Sequence, residues 1–240
     1  MAKENGTWIM RGVKESDPRC LHTAEELMDY VDQVGFLPLF QNKIPGFSVE
    51  ERTVPAFWWS DNEERDPWSW RIRIAQSGRI AYGKFFDKKA GFISLKWLPD
   101  FANVRRDGYD FDARWDDGLA TRRAKRIMDL FLSGEELFSY EIKQRAGFHK
   151  EGEKNFEGVM AELQMQTYLV VHDFRRRLNR QGLSYGWHVA RYAPPESIWG
   201  YDLVARAYDD APEVSRERIL RQLQAAFPAG EARDFKRLLR

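Results

Sequence analysis

The spacing of apolar residues predicts a first helix from Thr23 to Gly35. Thr23 and Glu26 have the spacing of a capping box, in which the two side chains accept hydrogen bonds from backbone amides of the first turn. Gly35 is of the residue type that most often ends a helix. The apolar positions that share one face of this helix are Leu27, Tyr30, Val31 and Val34. Residues 36–55 are apolar but interrupted by prolines, which predicts a buried irregular segment.

The alternation of polar and apolar residues in Arg71-Ile72-Arg73-Ile74 predicts a strand in the run from Trp70 to Ala75. A second β-rich run extends from Arg79 to Phe86, and the tripeptide Gln76-Ser77-Gly78 separates the two. Two such runs around a short Gly-containing turn are typical of a hairpin or a small sheet. We therefore expect a β-hairpin in the aromatic-rich first half of the chain.

The second half of the chain has a more specific order of elements. Apolar residues at helical spacing predict a helix over 119–132, a short helix that Ser139 caps and Gly147 ends, and a third helix over 155–166. Two β-rich runs follow at 168–174 and 185–192. The order of helix, short helix, turn, helix and hairpin is that of a winged helix.

We therefore predict an α+β fold made of winged-helix units, with more than one in tandem. Residues 1–115 would form an N-terminal α+β domain, for which a degenerate winged helix with an aromatic-rich hairpin is one interpretation. Residues 116–195 would form a winged helix, and residues 196–240 would form C-terminal helices that pack on the body, with a dimer contact as the alternative.

Composition is that of a globular protein, with 43% hydrophobic and 31% charged residues. The first residues lack the apolar run of a signal peptide, and no stretch is apolar enough to span a membrane, so we expect a cytoplasmic protein without a membrane partner. The single cysteine, Cys20, lacks the companions of a disulfide or a zinc site. No nucleotide-binding or hydrolase motif occurs, and we expect neither a metal nor a cofactor.

Charge and the predicted hairpin together point to nucleic acid. Residues 1–120 carry 17 basic and 20 acidic side chains, whereas residues 121–240 carry 21 and 17. Between the last two β-rich runs lies a polar tip, 175–184, and a winged helix places such a tip along the DNA backbone or in the minor groove. Guanidinium groups suit phosphate oxygens because they stay charged and bind in bidentate fashion. The arginines predicted to contact phosphates are Arg175, Arg176, Arg177 and Arg180.

The third helix would enter the major groove in this arrangement. Lys154 lies at its start, and Gln164 and Gln166 near its end could hydrogen-bond a base edge, most naturally adenine. Glu157 and Glu162 oppose this expectation, because carboxylates repel phosphates. A winged helix that binds protein instead of DNA is therefore a separate interpretation.

Three other patterns leave alternatives open. Aromatic side chains either fill the core or, where exposed, stack on unpaired bases, and the tryptophans in question are Trp58, Trp59, Trp68 and Trp70. His172 and His188 either face each other across the hairpin or occupy half-buried positions separately. The five aspartates within 107–117 either surround a divalent ion or form a solvated, helix-capping segment.

Three segments resemble bacterial proteins related to the AlkZ/YcaQ winged-helix DNA glycosylases. They are the passage from Leu163 to Val170, the strand Tyr185-Gly186-Trp187 and the segment from Tyr82 to Phe86. The resemblance covers residues 23–200 and is clearest for the branch related to these glycosylases. It implies winged-helix units around a DNA-binding channel, in a family whose enzymes remove damaged or crosslinked bases in DNA repair.

The resemblance also implies where catalytic groups would lie. The glycosylases carry Gln-x-Gln or Gln-x-Asp just after a helix that ends like Val34-Gly35-Phe36, and these side chains activate the attacking water. The matching positions here hold Pro38 and Phe40, which cannot polarise water. Gln41 and Asn42 follow closely, and a shifted register would place one amide at that point.

Three functions thus remain open from the sequence. The first, which we favour, is a DNA-binding protein related to the glycosylases whose catalytic motif is altered or lost. The second is an active DNA glycosylase, a hydrolase of N-glycosidic bonds in base-excision repair. The third is a winged helix that binds a protein partner or a second copy of the chain.

Overall fold

The computed structural model describes residues 2–4, 7–149, 151–179 and 181–239. The strands are β1 (Ala2–Glu4), β2 (Thr7–Ile9), β3 (Phe36–Pro38), β4 (Ile80–Phe86), β5 (Lys89–Ser94), β6 (Leu137–Phe138), β7 (Val170–Leu178) and β8 (Ser184–Ala193). The helices are α1 (Ala24–Val34), α2 (Pro67–Ser77), α3 (Leu98–Arg106), α4 (Phe111–Asp116), α5 (Arg122–Met128), α6 (Ser139–Arg145), α7 (Phe156–Met165), α8 (Pro195–Trp199), α9 (Tyr201–Val204), α10 (Pro212–Ala226) and α11 (Ala232–Leu238). Short 3-10 turns lie at Glu50–Arg52, Pro55–Phe57 and Asp129–Phe131.

The predicted α+β class is confirmed, and a six-stranded antiparallel sheet is its centre. The strand order is β3-β5-β4-β7-β8-β6, while β1 and β2 form a separate hairpin. Tyr82 of β4 pairs with Val171 of β7, so the first and second halves of the chain share one sheet.

The two halves of the sheet follow the same chain order. In the first half α1, β3, two 3-10 turns, α2, β4 and β5 succeed one another, and β3 pairs with β5. In the second half the order is α5, β6, α6, α7, β7 and β8, and β6 pairs with β8. Each half is therefore a three-stranded sheet preceded by helices, and β4 and β7 meet at the junction.

The beginning and end of α1 are as the sequence predicts. The Glu26 amide donates to Thr23 Oγ1 at 3.1 Å, and Glu26 Oε2 accepts from the His22 amide at 2.7 Å. These bonds satisfy amides that a helix start leaves without partners. Gly35 ends the helix with φ of 96°, and the irregular segment after β3 buries Leu39, Ile44, Phe47 and Val49.

The strand predicted from Trp70 to Ala75 is wrong, because these residues belong to α2. Asp66 caps the helix by accepting from the Trp68 amide at 2.9 Å, and Pro67 takes the first helical position. Within 70–75 the buried residues have helical spacing, and they are Trp70, Arg71, Ile74 and Ala75. The alternation misled because Arg71 is buried although it is charged. The hairpin of this half is β4–β5 instead.

The second half contains the predicted helices and a longer hairpin than predicted. β7 extends to Leu178 and β8 begins at Ser184, so Arg175, Arg176 and Arg177 lie on a strand and not in a polar tip. The N-cap of α6 is Phe138 instead of Ser139, and the Phe138 amide donates to Glu141 at 2.8 Å.

The C-terminal helices lie against α3 and the end of α1. The side-chain amide of Asn103 on α3 donates to the carbonyls of Ala207 and Asp210 and to Ser215 Oγ, at 2.8 to 3.1 Å. Gln222 of α10 donates to the Val34 carbonyl at 2.9 Å. These contacts fix α10 against α3 and the end of α1.

Candidate nucleic-acid interface

The outer part of the β7–β8 hairpin contains a wide bulge. Arg175 pairs with Val189 and Arg177 pairs with Tyr185, so Arg176 alone lies opposite three residues of β8, Gly186-Trp187-His188. Gly186 has φ of 71°, a conformation that side chains rarely adopt. The bulge displays the ring of Trp187, which is 92% exposed.

Three successive arginines of β7 lie beside this bulge. All of them are exposed. Arg175 Nε lies 2.5 Å from Asp173 Oδ2, and the Arg177 guanidinium carbon lies 4.4 Å from the centre of the Tyr140 ring. The fourth arginine predicted for this surface, Arg180, lies outside the described residues. We call Arg175, Arg176 and Arg177 the wing arginines.

A groove of about 650 Å³ separates the hairpin from the start of α6. Its floor includes the stacked rings of Phe138 and Tyr140, whose centroids are 5.4 Å apart. The residues that line it are Phe138, Tyr140, Phe174, Arg175, Arg176, Arg177, Leu178, Ser184 and His188. The wing arginines therefore border a concave surface that also offers aromatic faces.

Gln164 lies in the protein interior and not at the surface where a nucleic acid would bind. It is 1% exposed. Its Oε1 accepts from the Lys84 amide at 3.1 Å and its Nε2 donates to the Met160 carbonyl at 2.9 Å. Both ends of the amide are thus engaged by backbone, which does not fit the expected contact with a base edge, and we place no such contact there.

The exposed surface of α7 is acidic. Glu157 and Glu162 are exposed, and Glu162 lies 3.7 Å from Lys88. Gln166 is half-buried beside a groove between α5 and α7, and the Lys154 ammonium donates to the His149 carbonyl at 3.2 Å. This arrangement supports the hairpin, and not α7, as the main contact with phosphates.

The positions that would match a glycosylase motif are apolar and packed. Pro38 is buried in β3. The Phe40 ring lies 5.5 Å from that of Trp58 and 6.3 Å from that of Trp68. These contacts explain why an aromatic residue suits position 40, since it joins an aromatic cluster.

Asn42 is engaged in its own loop. Its Nδ2 donates to the Phe47 carbonyl at 2.6 Å and its Oδ1 accepts from the Ile44 amide at 2.9 Å. Gln41 is half-buried, and its backbone amide donates to the buried carboxylate of Glu50 at 2.9 Å. A water-activating role for Gln41 or Asn42 therefore remains an expectation from the resemblance.

The tryptophans divide between core and surface. Trp58 and Trp70 are buried, Trp68 is half-buried and Trp59 is 51% exposed. Sequence reasoning named these four but missed Trp187, which is more exposed than any of them. The signal that could have found it is Gly186, because a glycine inside a strand pattern suggests a bulge.

The two histidines of the hairpin do not face each other, so that interpretation is wrong. His172 Nδ1 lies 2.9 Å from Glu136 Oε1, beside Arg191. His188 lies in the bulge, where burial and the neighbouring Arg176 lower its pKa. Val171 pairs with Tyr192 and Arg175 pairs with Val189, so His188 lies farther out along the hairpin than His172.

Comparisons with known proteins gave one match. A sequence-family model described as AlkZ related matches residues 21–240, which is most of the chain. No curated protein and no solved structure matches. In the part of the chain that the structure describes, every helix is too short or too polar to cross a membrane.

Proposed function

Since the chain belongs to the AlkZ-related family, we propose that it is a DNA-binding protein related to the DNA glycosylases, built from two winged-helix units. The repeated order of helix, strand, helix and hairpin supports this interpretation, because in each half the short strand pairs with the last strand of the hairpin. We place the units within 1–115 and 116–195, with the helices of 196–240 packed against them.

The observation that carries the proposal is the row of wing arginines on β7. Arg175 and Arg177 lie two positions apart and are suited to successive phosphates, because arginine binds phosphate oxygens through a planar fork of donors. The exposed Arg176 lines both the groove beside α6 and the cleft on the other side of the bulge. Tyr140 restrains Arg177, so the entropy lost when this arginine binds a phosphate is reduced, whereas Arg175 shares its guanidinium group with the Asp173 carboxylate.

We propose that the chain binds DNA but lacks the side chains that activate water in the glycosylases. Pro38 and Phe40 lack polar side-chain atoms, and the Asn42 amide bonds to Phe47 and Ile44. The acidic surface of α7 makes a direct reading of bases by this helix unfavourable. Binding through the hairpin would consequently depend on the DNA backbone more than on base sequence.

The test is binding to a labelled DNA duplex across a series of salt concentrations. We expect wild type to bind with a steep dependence on salt, and the triple variant Arg175→Ala, Arg176→Ala, Arg177→Ala to bind weakly with a flatter dependence, because each phosphate contact adds about one to the slope. The matched control removes three exposed arginines of α10 and α11, Arg221, Arg233 and Arg237, and therefore the same net charge.

The two triple variants distinguish a role of the hairpin from a general effect of net charge. An equal loss in both triple variants would show that only net charge matters and would remove the hairpin from the proposal. Absence of binding by wild type at low salt would reject a DNA partner and leave the protein-binding winged helix.

A further inference from the structure

A second cleft lies on the other side of the bulge, between the hairpin and the first half of the chain. Its volume is about 520 Å³, within the range of ordinary ligand sites. The first half contributes Trp59, Trp68 and Arg71, and the hairpin contributes Arg176, Trp187 and His188. We call these six residues the tryptophan cleft.

Arg71 is unusual among the residues of the tryptophan cleft because it is charged and almost fully buried. It is 8% exposed, and its guanidinium carbon lies 3.9 Å from the centre of the Trp68 ring and 4.6 Å from that of Phe174. Within the described residues its Nε is buried without a hydrogen-bond acceptor. A buried donor of this kind costs free energy unless something accepts from it. Arg71 also lines the cleft, so its guanidinium group supplies a positively charged hydrogen-bond donor there.

Both exposed tryptophans are held by irregular backbone. Trp59 has φ of 59°, which is rare for a bulky side chain, and its amide donates to Asp66 Oδ1 at 2.9 Å. Trp187 is displayed by the three-residue bulge at Gly186. Strained backbone that the surrounding structure maintains is concentrated at functional sites. Trp59 and Trp187 therefore line the cleft from the first half of the chain and from the hairpin, respectively.

The charges of the cleft indicate what it would bind. Arg71 and Arg176 supply donors, while the exposed carboxylates of Asp61 and Glu63 line the same cleft and supply acceptors. A free phosphate would be repelled by the carboxylates. A nucleobase carries donors and acceptors on its edge and a flat face for stacking, and so it matches the aromatic and polar groups together.

We propose that the tryptophan cleft binds a single unpaired nucleobase, with its face on the indole rings and its edge toward Arg71. A base inside a duplex cannot present its face, because its neighbours cover both sides. The protein would then prefer DNA with unpaired bases over intact duplex. This inference rests on the proposed function for the DNA partner and adds a selectivity that the wing arginines cannot supply.

The test compares three fluorescent DNA probes of one sequence: a duplex, a single strand and a duplex with a short central single-stranded gap. Wild type is expected to bind the single strand and the gapped duplex more tightly than the duplex. Trp187→Ala is expected to weaken binding of these two probes about 5- to 150-fold, the range for loss of one base-stacking contact, and to leave duplex binding unchanged. The control is Tyr185→Ala, a ring on the same strand that is 50% exposed and lies outside the cleft.

A second variant tests the edge contact. Arg71→Met keeps the volume and removes the buried charge, and we expect it to weaken binding of the single strand while thermal unfolding stays cooperative. Quenching of tryptophan fluorescence by the single strand should fall in Trp187→Ala and persist in Tyr185→Ala.

The inference and the proposed function can fail separately. If wild type binds all three probes alike and Trp187→Ala changes none of them, while the wing-arginine triple variant loses them all, the tryptophan cleft is not a base site and the proposed function stands. If no probe binds, both are rejected. If Trp187→Ala alters only self-association in sedimentation, the cleft is a contact between protein chains.

Discussion

The guanidinium of Arg177 on β7 lies over the ring of Tyr140 at the start of α6, with 4.4 Å between the guanidinium carbon and the ring centroid. Tyr140 in turn stacks on Phe138 with an angle of 9° between the ring planes. An arginine of the hairpin is thereby oriented by the body of the second half. The contact restrains the guanidinium without neutralising it, so the full positive charge remains available to a phosphate.

The contact between Arg177 and Tyr140 should contribute to DNA binding. Tyr140→Leu should weaken binding of duplex DNA about two- to fivefold, because an exposed cation–π contact contributes about 0.5–1 kcal/mol. Fluorescence anisotropy at low salt measures the effect. The same change should have no further effect in an Arg177→Ala background, and an additive loss there would contradict the orienting role. The control is Tyr201→Leu on α9, an exposed tyrosine whose hydroxyl donates a hydrogen bond to Asp110.

Gln164 gives separate predictions for stability and for binding. Gln164→Leu leaves the Lys84 amide without its acceptor, and we expect a loss of about 1–3 kcal/mol in the free energy of unfolding. Urea denaturation measures this loss. Duplex affinity of the folded variant should equal that of wild type, because the side chain does not reach the surface. A variant of normal stability and weak DNA binding would restore Gln164 as a base-contact residue. Gln224→Leu, an exposed glutamine of α10, is the control.

Local signals in the sequence predicted the parts of the fold that local chemistry determines. Thr23, Glu26 and Gly35 predicted the limits of α1, since capping groups satisfy the amides of their own helix ends. The order of the three helices and the last two strands in the second half was also readable, because these elements have apolar patterns of the right period, whereas the two-residue strand β6 was not predicted. The match to the AlkZ-related family likewise agrees with the resemblance read from residues 23–200.

Where tertiary contacts override local pattern, prediction failed. Arg71 reads as a solvent-facing residue of a strand, but Trp68 and Phe174 cover its guanidinium in α2. The true hairpin turns at Asp87 and Lys88, which have φ of 49° and 61°, although such turns favour Asn and Gly. Gln164 was predicted to contact bases. The sequence does not show that its side chain accepts a hydrogen bond from the Lys84 amide, which lies 80 positions earlier in the chain.

Asp173 gives a prediction about pH. Burial alone would raise the pKa of its carboxyl, but hydrogen bonds from Gln76 and Arg175 outweigh burial and lower it below the ordinary 3.8. A carboxyl whose pKa is lower in the folded state stabilises the fold above its unfolded pKa, and this stabilisation is lost as the pH falls through the folded pKa. Asp173→Asn should therefore be less stable than wild type at pH 7 by about 1–3 kcal/mol.

The difference between the two proteins should shrink as the pH falls below 3.8. Urea denaturation at several pH values between 7 and 3 measures it. Asp202→Asn, an exposed position on α9, should match wild type throughout. A difference that stays constant with pH would show that the carboxylate charge is not what stabilises the junction of hairpin and α2.

Arg106 is the residue on which the three parts of the chain converge, and its loss should destabilise the fold strongly. It is 1% exposed on α3 and donates to the Thr167 carbonyl at 2.7 Å, to Tyr208 Oη at 3.0 Å and to the Glu196 carboxylate. Removal of one partner from a buried ion pair costs about 3–5 kcal/mol, and we expect the lower end of this range because Glu196 is 25% exposed. Arg106→Ala should lower the free energy of unfolding by that amount in urea, whereas Arg73→Ala, which breaks the exposed pair with Glu64, should cost less than about 1 kcal/mol. If the two variants proved equally stable, the C-terminal helices would be held by apolar contacts such as that of Phe47 with Phe227, and not by Arg106.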